Sequence, residues 1–394
     1  MTVIAIACGA AAAAQPVTLD GAYLRYSKAR LAAADATLAP ALHKLVADAD
    51  ALLARRAESV TYKRLVPPSG DRHDYLSLAP YWWPDPARPN GLPYRLRDGE
   101  FNPSAKNDDT DSVRMQAMCV GVQKLSLAYY FTGDAKYAHK AAEAIRTWFL
   151  APATRMNPSL AFGQAIMGKV EGRGTGLIDT RNLWMAIDAA ALIDDAGVLS
   201  ASELAALKQW FGAFAGWMET SRLGQDEAAA ANNHGMFFDM QLAAYALFAG
   251  DAAKARSTVD HALAQRIALQ VDADGKQPRE LARTTPFHYS VFNLEAMTTL
   301  ARYGEQVGVD VWTAPQSGRG LRQAIDYLLP FALKPASWPY PELRGAETAM
   351  LLPVLLQAER AYGAGTYAQA AASLAQTGPA DTLDRLTWPL KPAR

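Results

Sequence analysis

The sequence predicts an all-α protein assembled from antiparallel helical hairpins. Apolar residues recur at three- and four-residue spacing along most of the 394 residues, the mark of helices with one buried face. Gly-Asp pairs end one such segment and begin the next. Alternating β-branched runs are scarce, which argues against an extended sheet. Helical hairpins repeated along one chain stack into a solenoid or close into an α/α toroid.

In chain order, the helical spacing covers 19–34, 38–56, 112–132, 135–150, 181–194, 201–219, 235–249, 252–270, 290–306, 319–333 and 344–362. One hairpin joint is Thr132-Gly133-Asp134-Ala135 and a second is Ala249-Gly250-Asp251-Ala252. In each, glycine suits the left-handed cap position and aspartate suits the N-cap of the following helix. Ser200 and Glu203 have the spacing of a capping box at a third joint. Two stretches break the pattern. Residues 66–111 are rich in Pro, Gly, Asp, Asn and aromatics, and residues 152–180 carry glycines at 163, 168, 172, 174 and 176. Loops this long inside a compact domain tend to be functional. No domain-scale linker is present, so residues 16–394 read as one helical domain with long loops over one end.

The start of the chain reads differently. Residues 3–14 are apolar and end in small residues before Gln15, like the h-region and cleavage site of a secretory signal. Residues 1–15 are therefore expected to be a signal-peptide remnant, and the protein to be periplasmic or secreted. No later apolar run reaches the roughly 18–20 residues that cross a bilayer. Hydrophobic residues make up 50% of the chain, enough for a large core. Lys+Arg and Asp+Glu number 39 each, a balance that argues against a nucleic-acid partner. The two cysteines, Cys8 and Cys119, form neither a disulfide framework nor a zinc motif. The run Asn107 to Asp111 fails the calcium-loop template, with Ser112 where glycine is needed and Met118 where glutamate is needed. It reads as a cap for the helix starting near Ser112. The glycines at 172, 174 and 176 follow no predicted strand, so they make a poor phosphate cradle. No metal and no cofactor are expected.

Two segments gather groups suited to chemistry. Asn232-Asn233-His234-Gly235 stands at the start of the helix 235–249, where free N–H groups and the positive helix end favour an anion. Its blander reading is an Asn cap with a packed histidine. Arg279-Glu280 and Arg283 to Tyr289 place two arginines, a glutamate, His288 and Tyr289 just ahead of the helix 290–306. Here the blander reading is a surface ion-pair network. Together the segments supply a cationic clamp, amide donors and groups for proton transfer, the set that removes a proton beside a carboxylate. Tyr81, Trp82, Trp83 and Tyr94 add flat faces on which sugar rings stack, or else plug a long loop.

These residues carry a resemblance. Asp74 to Pro86, Asn90 to Tyr94 and Arg97 to Pro103 resemble the signature of the alginate lyase superfamily. The likeness continues through Asn157-Pro158, Gln164 to Ile166, Glu171 to Gly174 and Gly176 to Thr180, then Asn232 to Gly235 and Arg283 to Tyr289, in colinear order over 74–295. Polysaccharide lyase family 38 looks closer than family 5. The first 60 residues and the region past 310 carry no such motif.

The resemblance implies an incomplete α/α toroid and β-elimination on an acidic polysaccharide, a 1,4-linked polyuronate such as alginate or glucuronan. Carried over by motif, Asn233, His234, Arg283 and Tyr289 are the expected catalytic residues. His288 and Gln164 match positions that touch the sugar, and Tyr75, Trp82, Trp83, Tyr94 and Glu280 are further substrate-binding candidates. Asn233 and Arg283 are expected to neutralise the carboxylate, helped by His234. Tyr289 is expected to protonate the leaving oxygen and to serve as base where both act on one face of the ring. His234 is the candidate base for the opposite face. A free tyrosine titrates near 10, and Arg283 is close enough in sequence to lower that value, which predicts an alkaline optimum. Two other readings stand beside the lyase. A glycoside hydrolase needs two opposed carboxylates, with Glu280, Asp74, Asp179 and Asp239 available. A non-catalytic carbohydrate-binding protein would use the Trp82/Trp83 loop.

Overall fold

Gly133 and Gly250 take left-handed backbone angles, with φ of 73° and 86°. Asp134 and Asp251 cap the helices that follow by accepting from the N–H groups of Lys136 and Lys254. The Ser200–Glu203 capping box is present in full. Helical hairpins follow from these joints in a computed structural model that describes residues 15–314, 319–363, 365–377 and 382–389. The signal-like run and Cys8 lie outside the described residues, and Cys119 is a buried free thiol.

The helices are α1 (Gly21–Ala32), α2 (Ala39–Leu53), α3 (Ser112–Thr132), α4 (Ala135–Ile145), α5 (Trp184–Leu192), α6 (Ala201–Thr220), α7 (Arg222–Ala228), α8 (Asn233–Ala249) and α9 (Ala252–Ala262). After two short turns, α10 (Ala268–Gln270) and α11 (Pro278–Leu281), come α12 (Pro286–Val307), α13 (Leu321–Leu333), α14 (Leu352–Tyr362), α15 (Thr366–Thr377) and α16 (Asp384–Thr387). An inner arc runs α3–α5–α8–α12–α14, with α4, α6, α9 and α15 packed outside it. This is an incomplete α/α toroid. The inner helix α8 is buried on nearly every side, from Met236 to Ala246, as a helix inside a double layer should be.

The expected segments 135–150 and 252–270 are helical throughout, but their ends widen into π turns at Arg146–Leu150 and Leu263–Ile267. Helix α12 begins at Pro286, four residues earlier than the apolar spacing indicates, because proline is tolerated at the first helical position. The two long loops contain short strands. β1 (Leu76–Leu78) pairs in parallel with β4 (Phe162–Ala165), and β2 (Trp82–Trp83) pairs antiparallel with β3 (Arg95–Leu96). The loops 66–111 and 152–180 are thereby stitched together over one end of the toroid. Asp111 does not cap α3 with its side chain. It is buried beside Lys63 Nζ at 3.0 Å and accepts from the Leu76 N–H at 2.9 Å, tying β1 to the start of α3. Among the described residues, no helix is long and apolar enough to cross a membrane.

Candidate active site

The turn between α7 and α8 sets the first cluster. Asn232 accepts from the His234 N–H at 3.2 Å and so acts as N-cap. Gly235 is required there, because a Cβ would stand 2.1 Å from the Ala230 carbonyl oxygen. Buried Arg266 donates to the carbonyls of Ala228 (2.7 Å) and Ala230 (3.1 Å) and pairs with Asp239 at 2.8 Å. These bonds hold α7 against the first turn of α8. Asn233 then lies buried, and both its backbone N–H and its Nδ2 donate to Glu280 at 2.7 Å. His234 remains partly open, in a depression shared with Thr175, Asn232 and Arg279. Its Nδ1 is 2.6 Å from Glu227 Oε1, on a carboxylate only 2% exposed. A carboxylate in that place makes Nδ1 the donor and leaves the lone pair on Nε2.

The second cluster forms on the first turn of α12. Tyr289 Oη receives a hydrogen bond from Arg283 Nη2 at 2.8 Å and lies 2.9 Å from Tyr81 Oη. The guanidinium also stacks on the Tyr289 ring, 3.7 Å from its centroid. Asp98, from the loop after β3, grips the same guanidinium at 2.7 and 3.3 Å. Burial disfavours the Arg283 charge, but Asp98 and the two tyrosines outweigh it and hold the guanidinium above its ordinary value. Asp98 is correspondingly held below the usual carboxylate range: burial raises it, and Arg283 more than compensates. The expected lowering of Tyr289 is overturned. Arg283 does pull in that direction, but burial and the neighbouring Tyr81 push the phenol well above its ordinary value. Tyr289 is a neutral phenol in this site.

Glu280 joins the two clusters, because it holds Asn233 and precedes Arg283 by three residues. It is 1% exposed, so it positions Asn233 and offers no surface to a sugar. Burial lifts its carboxyl above the usual range, opposed by the two Asn233 donors.

A third group comes from the stitched loops. Asp179 accepts from Tyr75 Oη (3.0 Å), Ser77 Oγ (2.6 Å) and Gln164 Nε2 (2.9 Å). Gln164 has a φ of 50°, a left-handed conformation that costs a non-glycine residue free energy. It is held there by the Ser77 hydroxyl on its N–H and by Arg173 on its Oε1 at 2.7 Å. Burial lowers Arg173 from its ordinary value, opposed by the charges of Asp179 and Glu227, so this group runs on electrostatically to the carboxylate behind His234. The glycines of this stretch serve close packing. A Cβ on Gly174 would stand 2.7 Å from the Leu223 carbonyl of α7.

The remaining predicted residues separate. Tyr75 is 1% exposed and supports Asp179 from beneath, so it is not a sugar-stacking face. Trp82 and Trp83 are adjacent strand residues and point to opposite faces of the β2–β3 ribbon. Lys169 lies over Trp82 and Arg97 over Trp83. The two rings are not one platform. Tyr94 is half-buried, with its N–H on the Met167 carbonyl. His288 stands edge-on to Tyr289 and stacks on Phe292. Burial lowers its pKa, keeping it neutral.

Sequence reasoning missed Glu227, Asp98, Arg173 and the partnership of Tyr81 with Tyr289. The helical Arg222–Ala228 segment was the available signal for Glu227, seven residues ahead of His234. Among the described residues, Asn233 Oδ1, Glu227 Oε2, Arg173 Nε and Thr175 Oγ1 are buried with no hydrogen-bond partner. No group of three His, Cys, Asp or Glu among the described residues is placed to hold a metal ion.

Comparison with known proteins shows the family and the fold. The sequence model of the family described as alginate lyase matches residues 59–338. The crystal structure of an alginate lyase from Bacteroides ovatus superposes with a TM-score of 0.90 at 36% identity, over 96% of this chain and 100% of that one. Alginate lyase A1-III from Sphingomonas species A1 shares the fold, with a TM-score of 0.60 at 15% identity over 97% of this chain and 98% of that one. No curated protein matches the sequence. The chain is a polysaccharide lyase and belongs to the alginate lyase family.

Proposed function

We propose that the protein cleaves 1,4-linked polyuronates of the alginate or glucuronan class, with Tyr289, Arg283, Asn233 and His234 around the reacting sugar. The reaction removes the C5 proton, turns that electron pair into a C4–C5 double bond, breaks the C4–O bond and protonates the departing oxygen. The products are a 4,5-unsaturated uronate end and a new hydroxyl end. Charge accumulates on the C5 carboxylate in the transition state, and each aimed donor there is worth about 3–4 kcal/mol in comparable oxyanion sites. Arg283 presents its Nη1 donors, which have no partner among the described residues. Asn233 is 1% exposed and keeps a second Nδ2 hydrogen that Glu280 does not take; its role at the carboxylate requires the bound sugar to reach this buried amide.

The observation that carries the reading is a pair of candidate proton-handling groups with different anchors, a guanidinium on Tyr289 and a buried carboxylate on His234. Tyr289 is held as a neutral phenol with a guanidinium on its oxygen, ready to donate to the leaving oxygen. His234, anchored through Nδ1, lines the depression and has its Nε2 left for the substrate. In mannuronate and glucuronate the C5 hydrogen and C4 oxygen share one face of the ring, and Tyr289 serves at both steps as a relay: the neutral phenol passes its proton to the departing C4 oxygen as its own oxygen takes the C5 proton, with Arg283 stabilising the phenolate character between the two transfers. In guluronate, the C5 epimer, they lie on opposite faces, and His234 is the base. The hydrolase reading finds no support in the carboxylates it would use. Glu280 is spent on Asn233, Asp179 on three donors, Asp239 on Arg266, and Asp74 on Ser69 and Asn157. A substrate of this kind and the signal-like N-terminus support a periplasmic or secreted location.

The test is Tyr289→Phe, followed by ultraviolet absorbance of the unsaturated product. The reading predicts loss of product with an unchanged circular dichroism spectrum. Near-normal turnover would overturn the assignment of Tyr289.

A further inference from the structure

A polyuronate carries one carboxylate on every ring, so a groove that grips it needs cations and flat faces beyond the reacting sugar. Such a place lies next to Tyr289 and draws on a part of the chain where no motif is recognisable. Tyr81 meets Tyr289 through its hydroxyl and packs its ring against Phe101, 5.1 Å between centroids. Phe101 is 47% exposed, so part of its ring is open to a ligand. Over its ring, 5.5 Å from the centroid, stands the guanidinium of Arg344. Arg344 comes from the segment between α13 and α14. That segment reaches the site because the Leu343 N–H donates to the Thr284 carbonyl, one residue from Arg283. Arg344 Nη2 donates to the Gly99 carbonyl at 3.0 Å, beside Asp98. Among the described residues it has no carboxylate within ion-pair distance, whereas Arg95, Arg97 and Arg283 around it all do.

Resting on the polyuronate lyase reading, we propose that Phe101 and Arg344 form a sugar-binding subsite beside the reaction centre: the ring stacks on a pyranose face and the guanidinium takes the carboxylate of that neighbouring uronate. The placement fits the chemistry, because two aromatic side chains, Phe101 and Tyr81, separate this cation from the proton donor, and an exposed arginine fork matches a carboxylate. A latch role, in which Arg344 only holds the 97–101 loop through Gly99, is the alternative to be distinguished.

The experiment compares wild type, Arg344→Gln and Arg344→Ala on polymannuronate at low and high salt, recording kcat and KM separately. Glutamine keeps an N–H for the Gly99 carbonyl and loses the charge. The subsite predicts that both variants raise KM by about three- to tenfold with kcat within about twofold, and that KM of the variants depends less on salt than that of wild type. Rescue by glutamine, or a fall in kcat at unchanged KM, would show a latch and overturn the proposal, as would an unchanged KM in both variants. If wild type forms unsaturated product from polymannuronate, polyguluronate or glucuronan, the lyase reading stands whichever way the variants behave. No product from any of the three would defeat that reading instead.

Discussion

The two halves of the site are built in different ways. Around His234 and Asn233 the supporting carboxylates, Glu227 and Glu280, are almost fully buried and come from helical turns packed into the toroid. Around Tyr289 and Arg283 the supports are Tyr81 and Asp98, carried on the β2–β3 ribbon and the loop after it, where side chains are half exposed. One half is fixed when the protein folds. The other is completed by a loop laid over the end of the barrel, and a loop is the element that can move aside for a polymer. The difference teaches that His234, the proposed opposite-face base, is preset, whereas Tyr289, the proposed proton donor, depends on the loop for its surroundings.

The largest expected effect is that of Tyr289→Phe, because this half supplies the proton donor for every substrate. Turnover should fall by about 10²–10⁴-fold on all polyuronates. Next is Glu227→Gln, which keeps an acceptor for Nδ1 but removes the carboxylate that orients His234. On polyguluronate kcat should fall by about 10–100-fold, with little change on polymannuronate; a uniform loss would erase the distinction between the halves. Glu280→Ala tests the buried half by stability. Two Asn233 donors lose their partner, at a cost of about 2–3 kcal/mol, and Tm should drop by several degrees in a melting curve. Asp98→Asn tests the loop half and should matter least, because part-exposed ion pairs contribute about 0.2–1 kcal/mol. A two- to fivefold loss in kcat/KM is expected, measured by initial rates. The folded value of Asp98 lies below its ordinary one, so the pair persists above that range and breaks only as pH falls through the lowered value. The loss should therefore be the same at pH 6 and pH 9.

The same comparison has a pH signature. Burial and, after it, Tyr81 raise Tyr289, so the phenol holds its proton to higher pH than a free tyrosine. Tyr81→Phe removes that push, and the alkaline limb of the pH–rate profile on polyguluronate should move to lower pH. An unmoved limb would detach Tyr81 from the chemistry.

Much of the scaffold was legible because helices with one buried face repeat at a fixed period and glycine and aspartate mark their joints. The start of α12 was not, because Pro286 and the polar His288 hide the first turn from an apolar count. Helix α7 was missed for the same reason: Arg222 to Ala228 has too few apolar residues to show a face. The site was legible as residue types near helix starts. What sequence could not supply was depth. Tyr75 and Glu280 look like reachable aromatic and acidic groups, and only packing reveals that both are sealed behind others. Asp98 was invisible because a carboxylate's partner across a loop leaves no spacing to read, and Glu227 was hidden with the short polar helix that carries it.

The division of labour between the halves is tested most directly by His234→Ala assayed on polymannuronate and polyguluronate in parallel. The account predicts turnover on polyguluronate reduced by about 100-fold or more and turnover on polymannuronate held within about fivefold of wild type. Equal losses on the two epimers would contradict it and place His234 in carboxylate binding.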